Sequence, residues 1–421
     1  MQTTRQPEHI TRMRCTICGK AYLPGEHPYI CPDHGNEGIL DVEYDYERIR
    51  QEISPRLLSE NRTWSQWRYR PLLPVLQDTP VPPLAVGWTP LYEAPRLAKA
   101  LGMRSLWIKD DSRQPTGSLK DRASALAVMK AREAGASVIT TASTGNAAAA
   151  LAGMCAADGM PCVIFVPHTA PRAKVAQLLA YGAHVYLVEG SYDDAFELCL
   201  EAAAEFGWYN RNTGYNPYMA EGKKTVAFEI AEQLGWKVPD RIFVGVGDGC
   251  IISGVHKGFR DMTRLGWIKR TPKLMGVQAE GSDFLHQVWK AGADPVTFPP
   301  IQAETVADSI SAGLPRDRRK ALNSVVETGG GFVRVPDQAI LDAIPELART
   351  TGVFAEPAGA SPLAGLRRAL ADGDMSPDET AVLVVTGSGL KDVDATIRAC
   401  DTKPTTVAPS LDAVRAAMPK L

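Results

Sequence analysis

No apolar run in the chain approaches the roughly 20 residues that a membrane-crossing helix needs. Net charge is nearly absent as well: 46 Lys and Arg stand against 48 Asp and Glu, leaving −2. A broad basic face for nucleic acid or for an anionic membrane surface is therefore excluded, which disfavours a zinc-ribbon nucleic-acid binder. The segment Met1–Arg14 is polar and has no apolar signal core, so the expected location is the cytosol. Cysteine is sparse, eight in 421 residues, and five of the eight (Cys155, Cys162, Cys199, Cys250 and Cys400) are scattered. In a reducing compartment these read as small apolar side chains and not as a disulfide framework.

What is present is ordinary for globular protein: 45% hydrophobic and 22% charged residues, which excludes disorder, collagen and coiled coil as the main architecture. At about 150 residues per domain the length allows two or three domains. The other three cysteines crowd near the start, in Cys15-Thr-Ile-Cys18-Gly and Tyr29-Ile-Cys31-Pro-Asp-His34-Gly. Two close pairs on tight turns are what a tetrahedral zinc site requires, with Cys15, Cys18, Cys31 and His34 as ligands. Four protein ligands leave no open position, so the expected role is structural; a ribbon without metal is the alternative.

From Leu106 onward, apolar strand-like runs alternate with longer helical patterns, which implies parallel sheets covered on both faces. The runs at 106–109, 137–141, 162–166, 184–188, 241–246 and 381–385 read as strands. In such sheets ligands sit at the carboxyl ends of strands, and three strand-to-helix turns are unusual in composition. The first is Pro115-Thr-Gly-Ser-Leu-Lys-Asp-Arg. Lys120 opens a helix there, where the dipole disfavours an ammonium and suits Schiff-base chemistry; pairing with Asp121 is the plain alternative. The second, Thr141-Ala-Ser-Thr-Gly-Asn, has more polar and glycine positions than one helix cap needs, and its N–H groups can hold a carboxylate. The third, Val244-Gly-Val-Gly-Asp-Gly-Cys-Ile-Ile, is a glycine-rich turn able to cradle a phosphate, without the dinucleotide spacing.

Together with Trp67-Arg-Tyr-Arg, Trp88-Thr-Pro-Leu, Asn216-Pro-Tyr, Glu221-Gly-Lys-Lys-Thr, Glu356-Pro-Ala and Thr386-Gly-Ser-Gly-Leu-Lys-Asp, these turns resemble threonine synthase and its relatives. Those are fold-type II (tryptophan synthase β-like) pyridoxal-phosphate enzymes. The likeness spans about Trp67 to Lys391, and the Cys/His segment resembles extensions of some members.

The resemblance implies an α/β fold of two open parallel-sheet domains with a small zinc-ribbon-like extension. It places the extension at 1–70, a large cofactor-binding domain at 71–125 and 225–400, a small mobile domain at 126–224, and a tail at 401–421. Lys120 would carry the cofactor as a Schiff base. Asn146 would bond the ring hydroxyl oxygen, and Gly245, Gly247, Asp248, Gly249 and Cys250 would surround the cofactor phosphate. Thr386 would face the pyridine nitrogen, leaving it largely unprotonated. Ser143, Thr144, Gly145 and Asn146 would bind the substrate. A homodimer acting on a small amino acid is the expected assembly.

Some positions depart from the family pattern. Leu119 replaces its Phe, and Asp248 and Cys250-Ile251 replace Asn and glycines in the phosphate turn. The family's arginine for the substrate phosphate aligns with Met219, and its Asn-Ser pair with Thr213-Gly214. An unpaired phosphate dianion there would cost several kcal/mol. The expectation is therefore a lyase-type elimination or replacement at Cβ of an amino acid without a side-chain phosphate, with an apolar wall at Met219. The alternatives are threonine synthase itself, using other phosphate ligands, and a silent paralogue that only binds the cofactor.

Overall fold

The computed structural model describes residues 5–143, 145–170, 172–400 and 404–418, the side chains of Arg172 and Ala173 apart. Three sheets organise the chain. The N-terminal one is a small antiparallel sheet in the order Ala21–Tyr22, Ile10–Cys15, Leu40–Tyr44. The largest has six strands in the order Gly331–Val335, Lys273–Ala279, Arg241–Gly245, Thr380–Val385, Ser105–Asp110 and Leu91–Glu93. The third has four: His184–Val188, Cys162–Pro167, Ile139–Ala142 and Tyr209–Asn210.

The four-stranded sheet is wholly parallel, as the alternating pattern predicts. The six-stranded sheet corrects that expectation, because its edge strand Leu91–Glu93 runs antiparallel to Ser105–Asp110. A parallel crossover needs a dozen or more residues, usually a full helix. The 94–104 connection holds only the short helix Pro95–Ala100, so the chain turns back on itself.

Helices cover both sheets. Ile139–Ala142 and Cys162–Pro167 are buried along their whole length, which explains their unbroken apolar runs. The helix Lys120–Glu133 packs against Tyr218–Lys223 and against the alanine-rich Asn146–Asp158, joining the two large sheets into one core. Its Arg122 is buried and paired, bonding Asp111 (2.6 Å) and Glu229 (2.5 Å), and Lys109 of the neighbouring strand bonds Glu229 at 2.7 Å. Leu411–Ala417 is a short terminal helix with no buried residue. Among the described residues no helix is long and apolar enough to cross a membrane.

Candidate active site

A cavity of about 740 Å³ opens between the carboxyl ends of the two large sheets. Ser143 follows Ile139–Ala142, Arg211 follows Tyr209–Asn210, Gly245 ends Arg241–Gly245, and Thr386 follows Thr380–Val385. All four line the cavity, where strand topology places ligands in open α/β sheets.

Lys120 lines the cavity from the first turn of its helix. The turn before it is fastened to the segment after Thr380–Val385: Leu119 N–H donates to Thr386 O at 2.9 Å, and Ser388 N–H to Gly117 O at 2.9 Å. Asp121 does not serve as its partner; that carboxylate accepts from the N–H and hydroxyl of Thr116, at 2.7 and 2.5 Å. Burial, then the neighbouring ammonium of Lys223, push the Lys120 pKa down to about 8, with Glu356 opposing them. A neutral amine is thereby within reach near physiological pH.

Asn146 opens the helix Asn146–Asp158, and its Nδ2 donates to Glu356 Oε1 at 2.7 Å. Glu356 caps the helix Pro357–Ala371, and burial raises its pKa. Gly387 is required here, since a Cβ would come within 2.1 Å of Glu356 Oε1.

The glycine turn runs into the helix Cys250–Arg264. Gly249 has φ +89°, and a Cβ would lie 2.5 Å from that of Ala321. The carboxylate of Asp248 turns away from the turn's N–H groups and accepts from Arg316 N–H at 3.2 Å. The turn thus presents backbone N–H groups and a helix N-terminus to the cavity, with its one acidic side chain engaged elsewhere.

Two cations that sequence reasoning did not single out also line the cavity, Arg211 and Lys223. Arg211 is fully buried; Nε donates to Ser124 (3.2 Å) and Nη1 to Thr213 (2.9 Å), and Nη2 has no hydrogen-bond partner. Lys223 is fully buried with the Cys250 thiol beside its Nζ, and among the described residues it forms no ion pair with a carboxylate. Burial lowers the pKa of both, that of Arg211 to about 10. The signal for Lys223 lay inside the Glu-Gly-Lys-Lys-Thr motif; Arg211 lies outside every motif named above.

Of the site residues named from sequence, Lys120, Ser143, Gly145, Asn146, Gly245, Gly247, Asp248, Gly249, Cys250 and Thr386 all line this one cavity. Thr144 lies outside the described residues. Met219 does not line it. Its helix is packed between Lys120–Glu133 and Cys250–Arg264, and its side chain is wholly buried in the core. Arg211, Thr213 and Lys223 supply the wall expected of it.

Away from the cavity, one ligand atom each of Cys15, Cys18, Cys31 and His34 lie within 4.8 Å of one another. Three thiols and an imidazole at that spacing fit a closed tetrahedral zinc site. Burial opposes ionisation of Cys31, but His34 and Tyr22 outweigh it and bring the thiol down to about 6.

A lysine on a helix start, an asparagine, a glycine cradle and unpaired buried cations around one cavity fit a phosphorylated carbonyl cofactor. The chain belongs to the pyridoxal-phosphate dependent enzyme family, whose profile matches residues 83–387. Within it, the chain is 41% identical to threonine synthase of Methanosarcina acetivorans over 96% of this chain and 98% of that protein. It is 40% identical to threonine synthase of Methanocaldococcus jannaschii over 92% and 95%. The fold is that of the solved threonine deaminase isoform 2 of Solanum lycopersicum, with a TM-score of 0.63 at 22% identity, covering 91% of this chain and 98% of that one.

Proposed function

We propose that the protein is a threonine synthase, converting O-phosphohomoserine and water into threonine and inorganic phosphate. The observation that carries this reading is the pair Arg211 and Lys223, buried cations lining the cavity that form no ion pair with a carboxylate of the described residues. Among the described residues other buried cations have carboxylates; Lys109, Arg122 and Lys224 are each paired. Leaving charge buried and unpaired costs several kcal/mol, and a bound dianion relieves it. An unphosphorylated amino acid would add none beyond the cofactor phosphate. The similarity to threonine synthases over nearly the whole chain supports the same choice. Elimination from an unphosphorylated substrate was expected from the changes at Met219, Thr213, Gly214 and Ile251; of these Thr213 and Ile251 line the cavity, while Met219 lies in the core.

Bound pyridoxal phosphate supplies the electron sink for charge developing next to the amino group. Lys120 holds it and, once released, moves the proton at Cα. Ser143 and Gly145, just before the helix Asn146–Asp158, would take the substrate carboxylate, a role the sequence motif also gives to Thr144. Asn146, fixed by Glu356, would bond the ring hydroxyl oxygen, and Thr386 would stand toward the ring nitrogen. The N–H groups of residues 245–250 would take the cofactor phosphate. Arg211 and Lys223 would take the substrate phosphate and stabilise it as it leaves. Cys15, Cys18, Cys31 and His34 hold a structural zinc ion.

Holoenzyme incubated with O-phosphohomoserine tests this. Threonine and phosphate should appear in equal amounts. A keto acid and ammonia from an unphosphorylated amino acid, with O-phosphohomoserine untouched, would restore the elimination reading.

A further inference from the structure

The N-terminal Cys/His module lies outside the cavity, yet it grips both segments that carry the unpaired cations. Tyr44 ends the strand Leu40–Tyr44, and its hydroxyl donates to Glu221 Oε2 at 2.5 Å in a buried contact. Glu221 and Lys223 share the helix Tyr218–Lys223. Lys224 bonds the same carboxylate oxygen at 2.6 Å and sits 4.1 Å from the centre of the Tyr44 ring. Asp41, on the same strand, binds Lys257 (3.1 Å) and Arg260 (2.8 Å) of the helix that begins at Cys250.

At the other segment, the Tyr29 hydroxyl accepts from Asn210 N–H at 3.4 Å, one residue before Arg211. The Tyr29 ring packs on Tyr209 and Tyr215, with centroids 6.0 and 5.2 Å away. Neither Tyr29 nor Tyr44 lines the cavity.

We infer that the N-terminal module is a positioning element of the active site: through Tyr44 and Tyr29 it sets where Lys223 and Arg211 stand, and so sets the affinity for the substrate's phosphate. This deepens the threonine synthase reading and rests on it. A buttress matters because Arg211 follows a strand of only two residues, and Lys223 stands just before Lys224, where the helix Tyr218–Lys223 passes into Thr225–Gln233. The Cys/His cluster lies at the root of the same module: Cys15 pairs with Leu40 of the Tyr44 strand, and Cys31 is two residues from Tyr29.

The test is Tyr44→Phe and Tyr29→Phe in full-length holoenzyme. Inorganic phosphate binding is measured by calorimetry, with kcat, KM and melting temperature alongside. For Tyr44→Phe, the dissociation constant for phosphate and the KM for O-phosphohomoserine should each rise about three- to tenfold, part of what a charge-assisted hydrogen bond is worth. Its kcat should stay within about twofold. Tyr29→Phe, which loses the longer bond, should move both in the same direction by less. A lower melting temperature with unchanged phosphate affinity and KM in both variants would show a merely structural module and overturn the inference. No phosphate binding to the unmodified holoenzyme would overturn it too. If the unmodified enzyme binds phosphate but does not turn over O-phosphohomoserine, the assigned reaction fails, and the calorimetry alone decides the positioning.

Discussion

Asn146 and Glu356 meet at 2.7 Å beside the cavity, one opening a helix of the four-stranded sheet and the other capping a helix of the six-stranded sheet. Glu356 also raises the pKa of Lys120, against Lys223, which lowers it. The reactive amine is thus balanced between one carboxylate and one ammonium. Capture of pyridoxal phosphate by apoprotein needs the neutral amine, so its rate should climb about tenfold per pH unit below about 8 and level off above. Glu356→Gln should move that midpoint down and Lys223→Met should move it up. Stopped-flow absorbance over a pH series reads both. Equal midpoints in all three proteins would remove these neighbours from the account.

The buried network around Arg122 should contribute to acid stability. Burial works against ionised Glu229, but Arg122 and Lys109 outweigh it and hold its pKa down to about 2. A carboxylate depressed in the folded state stabilises fully above its ordinary value near 4.5 and loses that stabilisation as pH falls toward 2. Glu229→Gln leaves Arg122 and Lys109 short of charge and should cost about 3–5 kcal/mol at neutral pH. Chemical denaturation at pH 7 and pH 4 measures it, and the gap between variant and parent should narrow at the lower pH.

Two ion pairs close over the cavity from the small-sheet side, Lys174 with Asp308 and Asp193 with Arg316 at 2.5 Å. The carboxylates are well exposed, so salt screens them. KM should rise with ionic strength, and a variant carrying Lys174→Met and Asp193→Asn should show a flatter salt dependence. Parallel salt curves for the two proteins would leave these pairs without a role in holding substrate.

Metal analysis of protein made with zinc present should give about one ion per chain, as a closed four-ligand site holds. Cys31→Ser should lose it together with several degrees of melting temperature. Protein without metal and of undiminished stability would refute the site.

Much of this was legible beforehand because the cofactor machinery sits in short local motifs. Lys120 and Asn146 each stand at a strand-to-helix turn whose composition announces it. The strand Lys273–Ala279 was not singled out, since its Gly276 and Gln278 interrupt the apolar run; Gln278 faces inward only because it bonds Val246 O and His286 N–H. Alignment by motif placed Met219 at the substrate, because sequence spacing alone does not say which side of a packed helix meets the cavity. Arg211 was invisible for the opposite reason. Its role depends on burial without a carboxylate, and only the assembled fold reveals a missing partner.

The central claim is that Arg211 and Lys223 select a phosphorylated side chain. The most direct measurement compares kcat/KM for O-phosphohomoserine and for L-serine in the unmodified enzyme and in Arg211→Met. The account predicts a preference for O-phosphohomoserine of about a hundredfold or more, as when buried polar groups are left unpaired by the wrong substrate, and a collapse of most of it in the variant. Efficient use of L-serine by the unmodified enzyme, with the preference unmoved by Arg211→Met, would contradict it.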